Sequence, residues 1–114
     1  NYIAIHGRLD QMTLFHHQGD DVTPFTAPWE KADESCLHNS LFDVFNIQNQ
    51  APELNYSFKP FVLLFDEYYT ELYRISEAQK RMSNADKIVF MGTSFSVNIT
   101  QMAIEIARDY NIPN

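Results

Sequence analysis

Two small groups of residues in this chain have the types and neighbours for chemistry. His6-Gly7 follows the β-favouring run Tyr2–Ile5, where glycine lets the backbone turn sharply. An imidazole titrates near neutral pH, so a histidine at the carboxyl end of a strand can act as a general base in a cleft. Gly92-Thr93-Ser94 follows the apolar run Lys87–Met91. There a missing Cβ exposes backbone N–H groups and two hydroxyls stand beside them, a set suited to ribose or phosphate. Neither group is specific by itself, because most single histidines are inert and tight turns between strands and helices favour Gly, Thr and Ser.

The metal-ligating residue types are few. Imidazole and thiolate both bind zinc, and His16, His17, Cys36 and His38 are the candidates. Adjacent His-His and Cys-x-His lack the chelating spacing of zinc loops, and there is no CxxC pair, so zinc is not expected. A single cysteine forms no internal disulfide, which fits a reducing, cytoplasmic setting.

The elements that must position these groups follow from hydrophobic periodicity. Phe61–Phe65 is a continuous apolar run after Pro60 and before Asp66-Glu67, the pattern of a strand buried on both faces. Tyr69, Leu72, Tyr73 and Ser76 through Met82 recur at helical spacing, and that stretch closes near Ser83-Asn84. Lys87–Met91 reads as a second buried strand, broken by Gly92. Ile99, Met102, Ala103, Ile106, Ala107 and Tyr110 then mark one face of a helix, with Ser96 or Asn98 as its cap. Strand, helix, strand, glycine turn and helix is the grammar of a parallel sheet, whose ligands sit at the carboxyl ends of strands. The expected fold is therefore α/β, a Rossmann-like parallel sheet flanked by helices.

Between these parts lies a segment with Gly19, Pro24, Pro28 and Pro52, whose clearest periodicity is Leu37, Leu41, Val44 and Phe45 on one helix face. The expected organisation is a strand and His-Gly turn over 1–7, an irregular or helical insertion over 8–57, and sheet-forming sequence over 58–114. Asn111–Asn114 reads as the start of another strand, so the chain is expected to be part of a domain whose remainder lies outside it.

Composition limits the partners. With 45% hydrophobic and 14% aromatic residues the 114-residue chain can bury a core rather than remain disordered. Eight Lys and Arg against fifteen Asp and Glu give a net charge of −7. A surface of that sign repels phosphate backbones and favours basic partners, so no nucleic-acid partner is expected. No apolar run approaches the roughly eighteen residues of a membrane span, and no membrane partner is expected either.

Three segments taken in order resemble the later half of the sirtuin catalytic domain. They are Ile5-His6-Gly7, then Lys59-Pro60-Phe61-Val62-Leu63-Leu64-Phe65-Asp66-Glu67, then Ala85-Asp86-Lys87-Ile88-Val89-Phe90-Met91-Gly92-Thr93-Ser94-Phe95-Ser96-Val97. They are similar to the family's catalytic HG, its RPxVVxFGE strand and its AD…GTSxxV turn. The resemblance implies an NAD-dependent protein lysine deacetylase or deacylase. In it His6 deprotonates an NAD ribose hydroxyl after nicotinamide has left, so that the O-alkylimidate formed from the acyl oxygen can collapse. It implies that Leu63, Phe65, Asp66 and Glu67 line the side of the cleft that takes the acylated peptide, with Val97 touching substrate backbone. Gly92, Thr93 and Ser94 would meet the ribose and phosphate of NAD.

The sequence departs from the family in three ways. Asp66 replaces a glycine, which adds a charge where the peptide would lie. Residues 9–57 match poorly where the family places a zinc module. The Gly-Ala-Gly turn and the Gln-Asn-x-Asp motif are absent, and Gln48-Asn49-Gln50 follows the histidine rather than preceding it. Two alternatives stay open: an NAD glycohydrolase or ADP-ribosyltransferase of the same fold, and a non-catalytic module that binds a nucleotide or a protein.

Overall fold

A computed structural model of the chain describes residues 2–64 and 66–114. It divides into two compact units, Asn1–Tyr73 and Arg74–Asn114. Together they are a mixed α/β structure.

In the first unit β1 (Gly7–Leu14) lies between β2 (Phe25–Thr26) and β3 (Phe58–Val62), and both pairings are antiparallel. The parallel sheet expected from the motifs is therefore corrected for the described residues. The partner of the Phe61 run is the segment straight after His6, and its charged Arg8 and Asp10 concealed a strand within the stretch read as insertion. β3 begins at Phe58 and ends at Val62 rather than covering Phe61–Phe65, and only Phe61 in it is buried.

Pro60 explains part of this geometry. Proline donates nothing to a ladder and is tolerated on an edge strand, which β3 is among the described strands. Beside it the register jumps: Arg8 faces Phe61 and Met12 faces Pro60, so residues 9–11 bulge out of that pairing. The bulged stretch turns to β2 instead, with Gln11 opposite Thr26 and the Ala27 N–H donating to the Asp10 carbonyl at 2.9 Å. Met12 then points fully into a core with Ala27 and Val44, against which Phe45 and Phe58 pack. Val44 comes from α1 (Leu37–Val44), the helix that its spacing predicts.

The second unit consists of α2 (Ile75–Ser83) and α3 (Asn98–Asp109) with the loop between them. Arg74 and Arg81 both bond Glu77 at 2.5 Å, which holds its carboxyl below the usual range. α3 buries Thr100, Ala103 and Ala107, at helical spacing, whereas Tyr110 is 63% exposed at its end and does not extend the inward face. Lys87–Met91 forms no strand among the described residues. Its Ile88 N–H donates to the Pro113 carbonyl at 2.9 Å, but Val89 is 65% and Met91 85% exposed. A strand needs a partner for its backbone groups, and no described strand pairs with this run.

Tyr73, in a single 3-10 turn at Glu71–Tyr73, closes the first unit by stacking on Phe61 with centroids 5.0 Å apart. Burial, then the charge of Glu67, pushes its phenol up to about 12. The folded state thus keeps a proton that the unfolded chain loses above about pH 10, so stability falls as pH rises between the two values. Urea denaturation should show a decline in stability from about pH 10 to 12 that Tyr73→Phe largely removes. Equal declines in both proteins would contradict it.

Candidate functional site

The site is built outward from Gly7. Its φ is +89°, and a Cβ there would lie 1.9 Å from the Phe61 carbonyl oxygen and 2.7 Å from the Phe61 carbonyl carbon. Both are backbone atoms that cannot step aside, so only glycine allows β1 to meet β3 at this point. The Gly7 N–H donates to the Ala4 carbonyl at 2.9 Å, and the His6 carbonyl accepts from the Leu63 N–H at 2.9 Å. His6 therefore occupies a turn that leads into β1. The expectation of a strand over Tyr2–Ile5 with His6 at its carboxyl end is corrected: that run pairs with no described strand.

The His6 ring is exposed, and its Nε2 lies 2.9 Å from the Tyr69 hydroxyl, with the two rings tilted at 55°. Tyr69 reaches it from a segment that is tied down nearby. Both Glu67 carboxylate oxygens accept from the Lys59 ammonium at 3.1 Å, and the two side chains are only 16% and 19% exposed. Gln18 adds a second tie by accepting from the Tyr68 N–H at 2.6 Å.

The other residues read as substrate-facing take different places. Leu63 is partly buried and bonded through its backbone to His6, and Asp66 is exposed. Glu67 is held by Lys59. Phe65 lies outside the described residues. Asp66 and Glu67 border one cavity of about 600 Å³ whose walls include Phe15, Phe58 and Leu64.

His16 borders the same cavity. Its Nδ1 is 2.6 Å from the Leu14 carbonyl, which can only accept, so Nδ1 carries the proton and Nε2 is the nitrogen left without one in the neutral ring. Of the other would-be zinc ligands, His17 borders this cavity too, whereas Cys36 and His38 have partners of their own. Cys36 donates to Asp33 at 3.5 Å, and the His38 ring lies tilted against Phe42 with centroids 4.6 Å apart. Among the described residues no group of three or more His, Cys, Asp or Glu is arranged to hold a metal.

In the second unit Gly92 has a φ of +64°, and a Cβ there would meet nothing within 4 Å. The glycine serves the turn and leaves open space beside it. Thr93 Oγ1 accepts from the Phe95 N–H at 3.1 Å and lies 3.4 Å from Thr100 Oγ1. Ser94 and Ser96 hydroxyls pair at 2.7 Å. Gln101 donates to the Phe95 carbonyl, so residues 92–97 are stapled onto the first turn of α3. The helix begins after Val97, 41% exposed, without a side-chain cap; Ser96 and Asn98, expected to cap it, do not. The turn thus sets the Thr93 and Ser94 hydroxyls beside the open space at Gly92.

Over 56 residues the chain is 44% identical to the NAD-dependent deacetylase sir2E of Dictyostelium discoideum. This supports a sirtuin relationship. The matched stretch is 47% of this chain and covers 16% of that protein, so the chain spans a small fraction of its relative's length. No family model matches the chain, and no solved structure matches it.

Sequence reasoning missed Tyr69 and Lys59 as partners in this site. Tyr69 was legible only as one aromatic in a helix-spaced series. Lys59 lay in a motif position where its charge had no visible partner until Glu67 was folded back onto it.

Gly7→Ala should abolish the pairing of residue 7 with Val62 and destabilise the first unit by more than about 2 kcal/mol, since strain at positive φ adds to a backbone clash. Gly92→Ala, with open space around its Cβ, should cost only about 1 kcal/mol. Urea midpoints of the two variants check this; equal losses would contradict the role given to Gly7.

Proposed function

We propose that this chain belongs to a sirtuin-type, NAD-dependent protein lysine deacylase and supplies its base and one wall of its NAD site. The observation that carries the reading is the 44% identity over 56 residues to a protein named as an NAD-dependent deacetylase. NAD, when bound, supplies an electrophilic ribose carbon and nicotinamide as leaving group. His6 takes a proton from a ribose hydroxyl, a task suited to an exposed imidazole at the mouth of a turn. Gly92, Thr93 and Ser94 face the ribose and phosphate. Leu63, Phe65, Asp66 and Val97 face the acylated peptide, while Glu67 keeps the strand's exit in place through Lys59.

Within this reading Lys87–Met91 pairs in the whole protein with strands that the chain does not contain, which gives its exposed Val89 and Met91 a covering and completes a Rossmann-like sheet. Residues 8–57 stand where the family has its zinc module. A second reading, NAD hydrolysis, is favoured by one observation: Asp66 puts an exposed carboxylate where the family has glycine, and that charge disfavours close approach of a peptide carbonyl.

The test is stoichiometric. The full-length protein, given NAD and an acetyl-lysine peptide, should release nicotinamide and free lysine in equal amounts, with little nicotinamide when peptide is omitted. Nicotinamide formed at the same rate without peptide would favour hydrolysis. No NAD consumption under either condition would contradict both enzyme readings.

A further inference from the structure

We propose that Tyr69 is the positioning residue of His6, its hydroxyl oxygen accepting from Nε2–H so that Nδ1 is the nitrogen left to receive the substrate proton. The proposal rests on the reading of His6 as the base. It starts from the 2.9 Å contact between Nε2 and the Tyr69 hydroxyl, made across 63 residues of sequence.

A neutral imidazole has one N–H and one lone pair, and a hydroxyl at Nε2 can accept from the N–H or donate to the lone pair; only the first leaves Nδ1 with the free lone pair that a base needs. A catalytic base oriented by a third group is a recurrent arrangement, because an imidazole free to rotate presents its lone pair in the right direction only part of the time. His6 has a local reason to need such help: its ring is exposed and precedes a glycine, so neither burial nor a bulky neighbour at position 7 fixes its rotation.

The segment that carries Tyr69 is fixed from both sides, which makes the contact more than a chance approach of two surface rings. Upstream, Glu67 is anchored on β3 through Lys59, its N–H donates to the Leu64 carbonyl at 3.1 Å, and Tyr68 is bound by Gln18. Downstream, the Tyr73 N–H donates to the Thr70 carbonyl at 3.0 Å and the Tyr73 ring is stacked on Phe61. His6 is joined to the same strand by its carbonyl, which accepts from Leu63. Both partners of the contact are thus referenced to β3 and its continuation.

Tyr69→Phe removes the hydroxyl and keeps the ring. In the full-length protein it should lower kcat for NAD turnover by about tenfold while the KM for NAD stays within about twofold, the split expected when orientation of a reacting group is lost and binding is not. Ring-nitrogen NMR should place the His6 proton on Nε2 in the wild-type protein, and the His6 ring signals should move in Tyr69→Phe while the amide spectrum stays that of a folded chain. Glu67→Gln, which loosens the tether without touching His6, should give a smaller loss of kcat in the same direction.

A wild-type His6 protonated on Nδ1, or unchanged ring signals and kcat in Tyr69→Phe, would overturn the proposal. A wild-type protein without NAD turnover would instead overturn the reading of His6 as base, while the ring-nitrogen spectra still decide whether Tyr69 holds the ring. The two failures are therefore distinguishable.

Discussion

The first unit depends on how closely two backbones approach at one point, Gly7 against Phe61. A Cβ at 1.9 Å from a carbonyl oxygen is not a contact that repacking can relieve. The pairing of Gly7 with Val62 and Arg8 with Phe61 sets the register at one end of β1, and Pro60 with the bulge sets it at the other. From that register follow the bond between His6 and Leu63, the position of Lys59, and so the course of the segment that returns Tyr69 to His6. A local requirement for glycine is thereby converted into the placement of an imidazole.

Magnitudes separate the ion pairs that matter to this arrangement from those that do not. Arg8 and Asp10 meet at 2.6 Å with both side chains more than half exposed, and water screens such a pair so that it adds little. Lys59 and Glu67 are mostly withdrawn from water, where removing one partner strands the other and the loss rises toward about 3 kcal/mol. The semi-buried pair is the one that holds the candidate site. In the second unit the comparable work is done by hydroxyls: Thr93, Ser94, Ser96 and Thr100 bond among themselves and to nearby backbone, which fixes the loop before α3.

Much of the local structure was legible in sequence. The spacing of Leu37, Leu41 and Val44 gives α1, Ser76 through Met82 falls within α2, and the run after Val97 gives α3. The sheet was not legible in the same way. Arg8, Leu9 and Asp10 are exposed, so β1 carries little alternation at its start, and its identity as a strand comes from pairing rather than pattern. Conversely Lys87–Met91 has the pattern and lacks a described partner, which shows that apolar runs report a capacity to pair and not the pairing itself. In the site, His6-Gly7 was visible because glycine and imidazole have distinctive chemistry. Tyr69 was not, because a tyrosine becomes significant only through what it touches.

The account stands on His6 acting as the proton acceptor, and chemical rescue tests that most directly. His6→Ala in the full-length protein should lose NAD-dependent turnover by a factor of about a hundred or more, and added imidazole should restore part of it in a saturable way. Wild-type turnover in His6→Ala without imidazole would contradict the account.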